Sequence, residues 1–109
     1  MRVRADIWTA AVIRRAQGAG AYATIVRKGQ AEGGVVFVKV NRLDGTAWVL
    51  APVTGGDGER RWLRAGAQSG LSDAEADAYV ARAAARDPDC WILEIEDRQG
   101  RWFFDEPVD

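Results

Sequence analysis

"VVFVKVNRLDGTAWVLAPV", residues 35–53, contains the most β-prone run of the chain and the turn that sets how that run folds back. Residues 35–42 read as a strand and residues 46–53 as its return. Asp44-Gly45 is a two-residue hairpin signal, because both positions tolerate φ > 0. A turn centred there puts Val40 opposite Val49, Val38 opposite Ala51, Lys39 opposite Leu50 and Phe37 opposite Pro52. Pro52 belongs at a frayed strand end, since it cannot donate to a ladder.

The next stretch extends the pattern. A five-residue loop over 54–58, "TGGDG", leads into a strand over 59–65, "ERRWLRA". That loop length sets Leu50 opposite Trp62 and Trp48 opposite Arg64. Alternate residues of a strand share a face. One face then carries Val36, Val38, Val40, Val49, Ala51 and Leu63. The other carries Phe37, Lys39, Trp48, Leu50, Arg60, Trp62 and Arg64, and this second set is the candidate interaction face.

Working outward, residues 6–17, "DIWTAAVIRRAQ", read as a helix. Trp8, Ala11, Val12 and Arg15 follow its apolar spacing, Asp6 can cap its start and Gly18 suits a left-handed stop. Residues 22–28 read as a strand. In the stretch 69–88, Ser72 and Glu75 fit a capping box, and Ala76, Tyr79, Val80 and Ala83 form one stripe of a second helix. Asp73 and Asp77 lie early, Arg82 and Arg86 late, and Asp87-Pro88 stops it.

The segment "DPDCWILEIEDRQGRW", residues 87–102, holds five acidic residues and the only cysteine. It reads as a half-buried strand over 91–96, with Trp91, Leu93 and Ile95 inward and Ile92, Glu94 and Glu96 on the other face. A final strand over 101–104 follows the turn "DRQG". That hairpin would pair Glu96 with Arg101, Ile95 with Trp102 and Leu93 with Phe104. The predicted order is α-β-β-β-β-α-β-β. Consecutive strands joined by short loops predict an α+β fold with an antiparallel meander and two helices, in a single domain over residues 1–109.

Composition narrows the chemistry. The chain has 109 residues, a formal net charge of −1 and no histidine. Without histidine, Ser-His-Asp triads, imidazole acid–base catalysis and most zinc sites are excluded. One cysteine excludes an intramolecular disulfide and accords with a reducing cytoplasm. Cys90 has no histidine to activate it, its sequence neighbours Asp87, Asp89 and Glu94 disfavour a thiolate, and it reads as a small buried hydrophobe. Glu94-x-Glu96 is a common strand pattern with no supporting cation loop. No catalytic, metal-binding or cofactor-binding residue is assigned, and no cofactor is expected. No apolar run has the length of a membrane span.

Three stretches carry a resemblance to a known family: Trp8 to Arg15; "GAYATIVRKG", Gly20 to Gly29; and above all "DPDCWILEIEDRQGRWFFDE", Asp87 to Glu106. In these the chain resembles the alphaproteobacterial domain-of-unknown-function family 1491, over nearly its whole length. The resemblance implies a bacterial cytosolic domain. It carries over no catalytic residue.

The aromatic and arginine face therefore needs a cover. One is the fold itself, if the sheet curls under loops or the last hairpin. A second is a homodimer or another protein partner, since interfaces are rich in Trp, Phe and Arg. A third is single-stranded nucleic acid stacked on the aromatics, against which the pI of 5.5 counts. A non-enzymatic interaction or self-association module in the cytoplasm is the reading these residues favour; a carboxylate-dependent enzyme is the lesser alternative, because the spacing of the acids singles out no pair.

Overall fold

The computed structural model describes residues 4–54, 60–66 and 68–109. Two helices, α1 (Ala5–Gly18) and α2 (Asp73–Arg86), pack on one mixed sheet. Its strands are β1 (Tyr22–Arg27), β2 (Val36–Asn41), β3 (Thr46–Thr54), β4 (Arg60–Ala65), β5 (Leu71–Ser72) and β6 (Trp91–Glu96). The fold is α+β as expected, but the sheet order is β1-β6-β2-β3-β4, with the short β5 beside β3.

The departure from a meander lies in β6. It inserts between β1 and β2, antiparallel to the first and parallel to the second, with Val38 opposite Leu93 and Ala23 opposite Ile95. A parallel pair needs a crossover connection, and α2 supplies it. Trp91, Ile92, Leu93 and Ile95 are all buried, as befits an interior strand covered on both sides.

Both edges of β6 are thus occupied, and the expected strand over 101–104 does not form. Gly100 N–H donates to the Asp97 carbonyl at 3.0 Å, so the turn exists, but the chain beyond it turns away from β6. Asp97 anchors that turn. Its carboxylate accepts from the Arg101 backbone N–H at 2.9 Å and from the Arg101 guanidinium at 3.0 and 2.9 Å. The segment then crosses the sheet with Phe103 in the left-handed region, φ 64°, and its last residues run beside β4. There Trp62 N–H donates to the Pro107 carbonyl and Asp109 N–H to the Trp62 carbonyl.

The β2–β3 register also differs from the expected one. Val38 lies opposite Leu50, Lys39 opposite Val49 and Val40 opposite Trp48. The turn holds three residues, Leu43–Gly45, because Arg42 N–H still pairs with the Thr46 carbonyl. Leu43, not Asp44, takes a positive φ of 62°, with Gly45 at 89°. Asp44 instead uses its carboxylate to accept from the Thr46 N–H and hydroxyl. Since side chains alternate with a period of two, that single-residue shift turns β2 over relative to β3 and β4. Between β3 and β4 the pairing is Leu50 with Arg64 and Pro52 with Trp62. This is two residues from expectation along one strand and keeps the same faces. The loop expected over 54–58 lies, from residue 55 on, outside the described residues.

The two helices cover opposite faces. The stripe Ala5, Trp8, Val12 and Ala16 of α1 packs on Val36, Val38, Val40, Leu50, Leu93 and Ile95. The smaller stripe Ala76 and Val80 of α2 packs on Ala47, Val49 and Ile92. The capping box of α2 is present: Glu75 N–H donates to the Ser72 hydroxyl and Ser72 N–H to the Glu75 carboxylate. In α1 the cap differs from expectation. Arg4 holds the cap position without a side-chain bond, and Asp6 sits inside the first turn, accepting from Ile7 N–H. Gly20, not Gly18, takes the left-handed conformation, φ 85°.

After β1 the loop presses on the start of β6. Gln30 N–H donates to the Asp89 carbonyl at 2.9 Å, and a Cβ at Gly29 would collide with the Asp89 and Cys90 backbone. Only glycine permits that approach.

The Arg101 bonds hold the Asp97 carboxyl below the usual carboxylate range. A lowered folded pKa gives stability that is present above the unfolded value, about 3.9, and lost as pH falls through the folded one. Asp97→Asn should therefore cost about 1–3 kcal/mol at neutral pH in a denaturant titration. Wild type should lose that advantage progressively below about pH 4.

Candidate functional site

Of the expected face, the structure brings Trp48, Leu50, Arg60, Trp62 and Arg64 together on the α1 side. Phe37 and Lys39 are carried to the α2 side by the β2 register. Leu50 and Trp62 are fully buried within the chain. The Trp8 ring stacks on Trp62 at 5.4 Å between centroids and 22° between planes, and Phe104 lies 4.8 Å from Trp62. The Trp62 indole N–H donates to Glu106 at 3.1 Å. Here α1 and the C-terminal segment supply the cover, so the aromatic centre of the expected face is core.

What remains accessible is its margin. Half-buried Trp48 has the Arg42 guanidinium 4.6 Å and the Arg64 guanidinium 4.9 Å from its ring centre, and Trp102 meets it edge-on at 6.2 Å. Gly100, with φ 71°, lies against the far end of the indole, where a Cβ would approach Trp48 Cζ3 to 2.9 Å. Arg60 lies over Trp8 at 5.8 Å. Each such cation–ring contact contributes about 0.5–1 kcal/mol at an exposed site. These contacts tie the tail turn to the sheet, and they fill the ring faces a planar ligand would need.

Lys39 has a different role from the one expected. Its side chain is 3% exposed, and Nζ lies 2.6 Å from both Asp73 and Asp77 of α2 and 3.6 Å from Glu94. Burial works against the ammonium, but the hydrogen bonds to Asp73 and Asp77 outweigh it and raise its pKa above the ordinary lysine value. Glu94, one of the two carboxylates weighed as a cation ligand, is part of this ion-pair network. No cluster of three or more acidic, His or Cys side chains suited to a metal ion occurs among the described residues. Cys90 is fully buried. Burial pushes its thiol up, and Asp87 adds to the effect.

The surface that sequence reasoning missed lies at the other end of the sheet. β1 is an edge strand with no neighbour on its outer side among the described residues. Beside it runs a groove of about 500 Å³, walled by Asp6, Thr9, Ala10, Ile13, Arg14 and Gln17 of α1 and by Ile25 and Lys28, with Trp91 also lining it. Tyr22, Ile25 and Val26 are 59%, 40% and 57% exposed, unusual for three apolar residues in one short strand. The pairing of β1 with β6 breaks between Ile25 and Arg27, a bulge at Val26. One signal was legible: consecutive Ile25 and Val26 break the period of two, as a bulged edge does.

Two outcomes test these assignments. Trp62→Ala should cost about 3–5 kcal/mol by denaturant unfolding, the range for emptying a packed aromatic site. Cys90 should react with a thiol reagent at the rate of global or local opening, and so speed up steeply in mild denaturant.

Comparisons with known proteins agree with this architecture. The family described as "Protein of unknown function (DUF1491)" matches residues 3–105. A crystal structure of a DUF1491 family protein from Caulobacter crescentus is similar at 50% identity and a TM-score of 0.89, covering 99% of this chain and 100% of that one. An NMR structure of a DUF1491 family protein from the same organism is 51% identical, with a TM-score of 0.87 and coverage of 100% and 98%. A solution structure of a protein from A. tumefaciens is 30% identical, with a TM-score of 0.75 over 88% of this chain and 86% of that one. None of the curated proteins matches. No helix among the described residues is long and apolar enough to cross a membrane. The chain belongs to the DUF1491 family.

Proposed function

We propose that this protein is a non-enzymatic protein-interaction module of the bacterial cytoplasm, and that it works through the open edge of β1. The observation that carries this reading is the pairing of a strand edge that no described residue occupies with a helix-walled apolar groove. An exposed edge presents a row of backbone donors and acceptors, and natural proteins usually cover or blunt it. Here the opposite edge strand, β4, is partly covered by the tail at Pro107–Asp109, while β1 has its apolar side chains outward. A groove beside such an edge is the setting for strand addition, in which main-chain bonds give affinity and side-chain pockets give selectivity.

The aromatic and arginine face offers less support as a binding site. Trp62 and Leu50 are interior, and the rings at its margin are covered by the chain's own guanidiniums. A nucleic-acid platform would need open ring faces for bases to stack on.

Site-specific photo-crosslinking tests the proposal. A photoreactive phenylalanine at position 26, introduced in cells of its own source, should give discrete adducts. The same group at position 63, on the exposed side of β4, should not. Ile25→Asp should abolish the adducts at position 26 while leaving circular dichroism unchanged. If position 26 gives no more adduct than position 63, the β1 edge is not an interaction site. Adducts with the mass of two copies would make the partner a second copy of this chain.

A further inference from the structure

We infer that the groove between α1 and β1 takes an extended acidic segment of another protein, one that places an apolar side chain between two carboxylates. This deepens the proposal that β1 is an interaction edge and rests on it. The groove is apolar where Ala10, Ile13, Ile25 and Trp91 line it, and charged at its margin. Of its three charged residues, Asp6 is already engaged, since its carboxylate accepts from the Arg4 guanidinium at 3.2 and 3.1 Å. Arg14 and Lys28 are both exposed, and neither has a carboxylate partner among the described residues. Two unpaired cations beside an apolar trough complement an anionic, partly apolar ligand. The sign of the rim selects among partners, and like charges are repelled.

The strand geometry defines the ligand further. β1 is six residues long, and its bulge at Val26 interrupts a regular ladder. An added strand therefore pairs along Tyr22–Ile25 and must be short. In an extended segment, alternate side chains point to one face. On the α1 face of β1, Ala23 lies opposite Ile95 and Ile25 opposite Leu93, so the added strand's side chains on that face enter the trough. A second copy of this chain fits the rim poorly. Its own edge, "YATIVRK", contains no acid, and its Arg27 and Lys28 would add cations to those already there.

The test uses the full chain, labelled with nitrogen-15, and two six-residue peptides with blocked termini in which a valine and two flanking charges share one face: Thr-Glu-Thr-Val-Thr-Glu, the valine–glutamate peptide, and Thr-Lys-Thr-Val-Thr-Lys, the valine–lysine peptide. The valine–glutamate peptide should shift the amides of Tyr22–Ile25 and the indole N–H of Trp91, which donates to the Gln30 carbonyl at the groove. Arg14→Glu with Lys28→Glu should weaken that binding by about tenfold or more and transfer preference to the valine–lysine peptide. Circular dichroism of the double variant should match wild type, since both residues are exposed. Equal binding of both peptides by wild type, or shifts confined to residues around Trp48, would overturn the inference. Concentration-dependent shifts of β1 without peptide would replace the acidic segment by a second copy. If crosslinks form at position 26 but the valine–glutamate peptide does not bind, the interaction edge stands and the acidic ligand falls.

Discussion

The position of β6 governs the rest of the molecule. Once Trp91–Glu96 lies between β1 and β2, every other element has its place by exclusion. β1, the first strand, is left at the margin of the sheet, with no partner on its other side among the described residues. The residues after Asp97 cannot pair with β6, whose donors and acceptors are already used on both sides, so they leave the sheet plane. They find their burial on the α1 face, where Phe104 packs on Trp8 and Trp62. The C-terminal segment thus acts as part of a layer, completing a face that a 14-residue α1 is too short to cover alone. Burial of large aromatics is worth most where they exclude water together, and Trp8, Trp62 and Phe104 do so.

How much of this was legible follows from the range over which each signal acts. Some local signals suffice: the capping box at Ser72 and Glu75 forms, and Trp91, Leu93 and Ile95 face inward. Others do not, since Arg4 takes the cap position expected of Asp6 and Gly20 the left-handed conformation expected of Gly18. Strand pairing acts at longer range still. Nothing in "WILEIE" says that its neighbours are β1 and β2, though its nearly continuous apolar character is what a doubly covered strand requires. The turn after β2 shows how little separates right from wrong. Asp44-Gly45 invites a two-residue loop, yet Asp44 prefers to accept from Thr46, and the turn takes in Leu43. One residue of slippage sent Phe37 and Lys39 to the far face and left the other five candidate residues together.

Lys39 shows why that slip is tolerated by the fold. On an apolar face a buried ammonium would be costly; on the α2 side it meets Asp73 and Asp77 on adjacent turns of a helix, and Glu94 on the neighbouring strand. The carboxylates remain partly hydrated while the cation does not, so the desolvation penalty falls mainly on one group. The network does for α2 what its small stripe of alanines cannot. It fixes the rotation and height of the helix over β2, because only one placement brings both aspartates to the same nitrogen.

The tail beside β4 has a consequence for how copies of this chain can meet. Sheet-to-sheet stacking into a filament needs two complementary free edges, so that each added molecule regenerates the one it consumed. Here Trp62 already exchanges backbone hydrogen bonds with Pro107 and Asp109, so that edge is partly sealed from within. The tail thus works against head-to-tail growth, in which the β1 edge of one copy would add to the β4 edge of the next, and leaves the two edges of the sheet unequal in what they offer a passing strand.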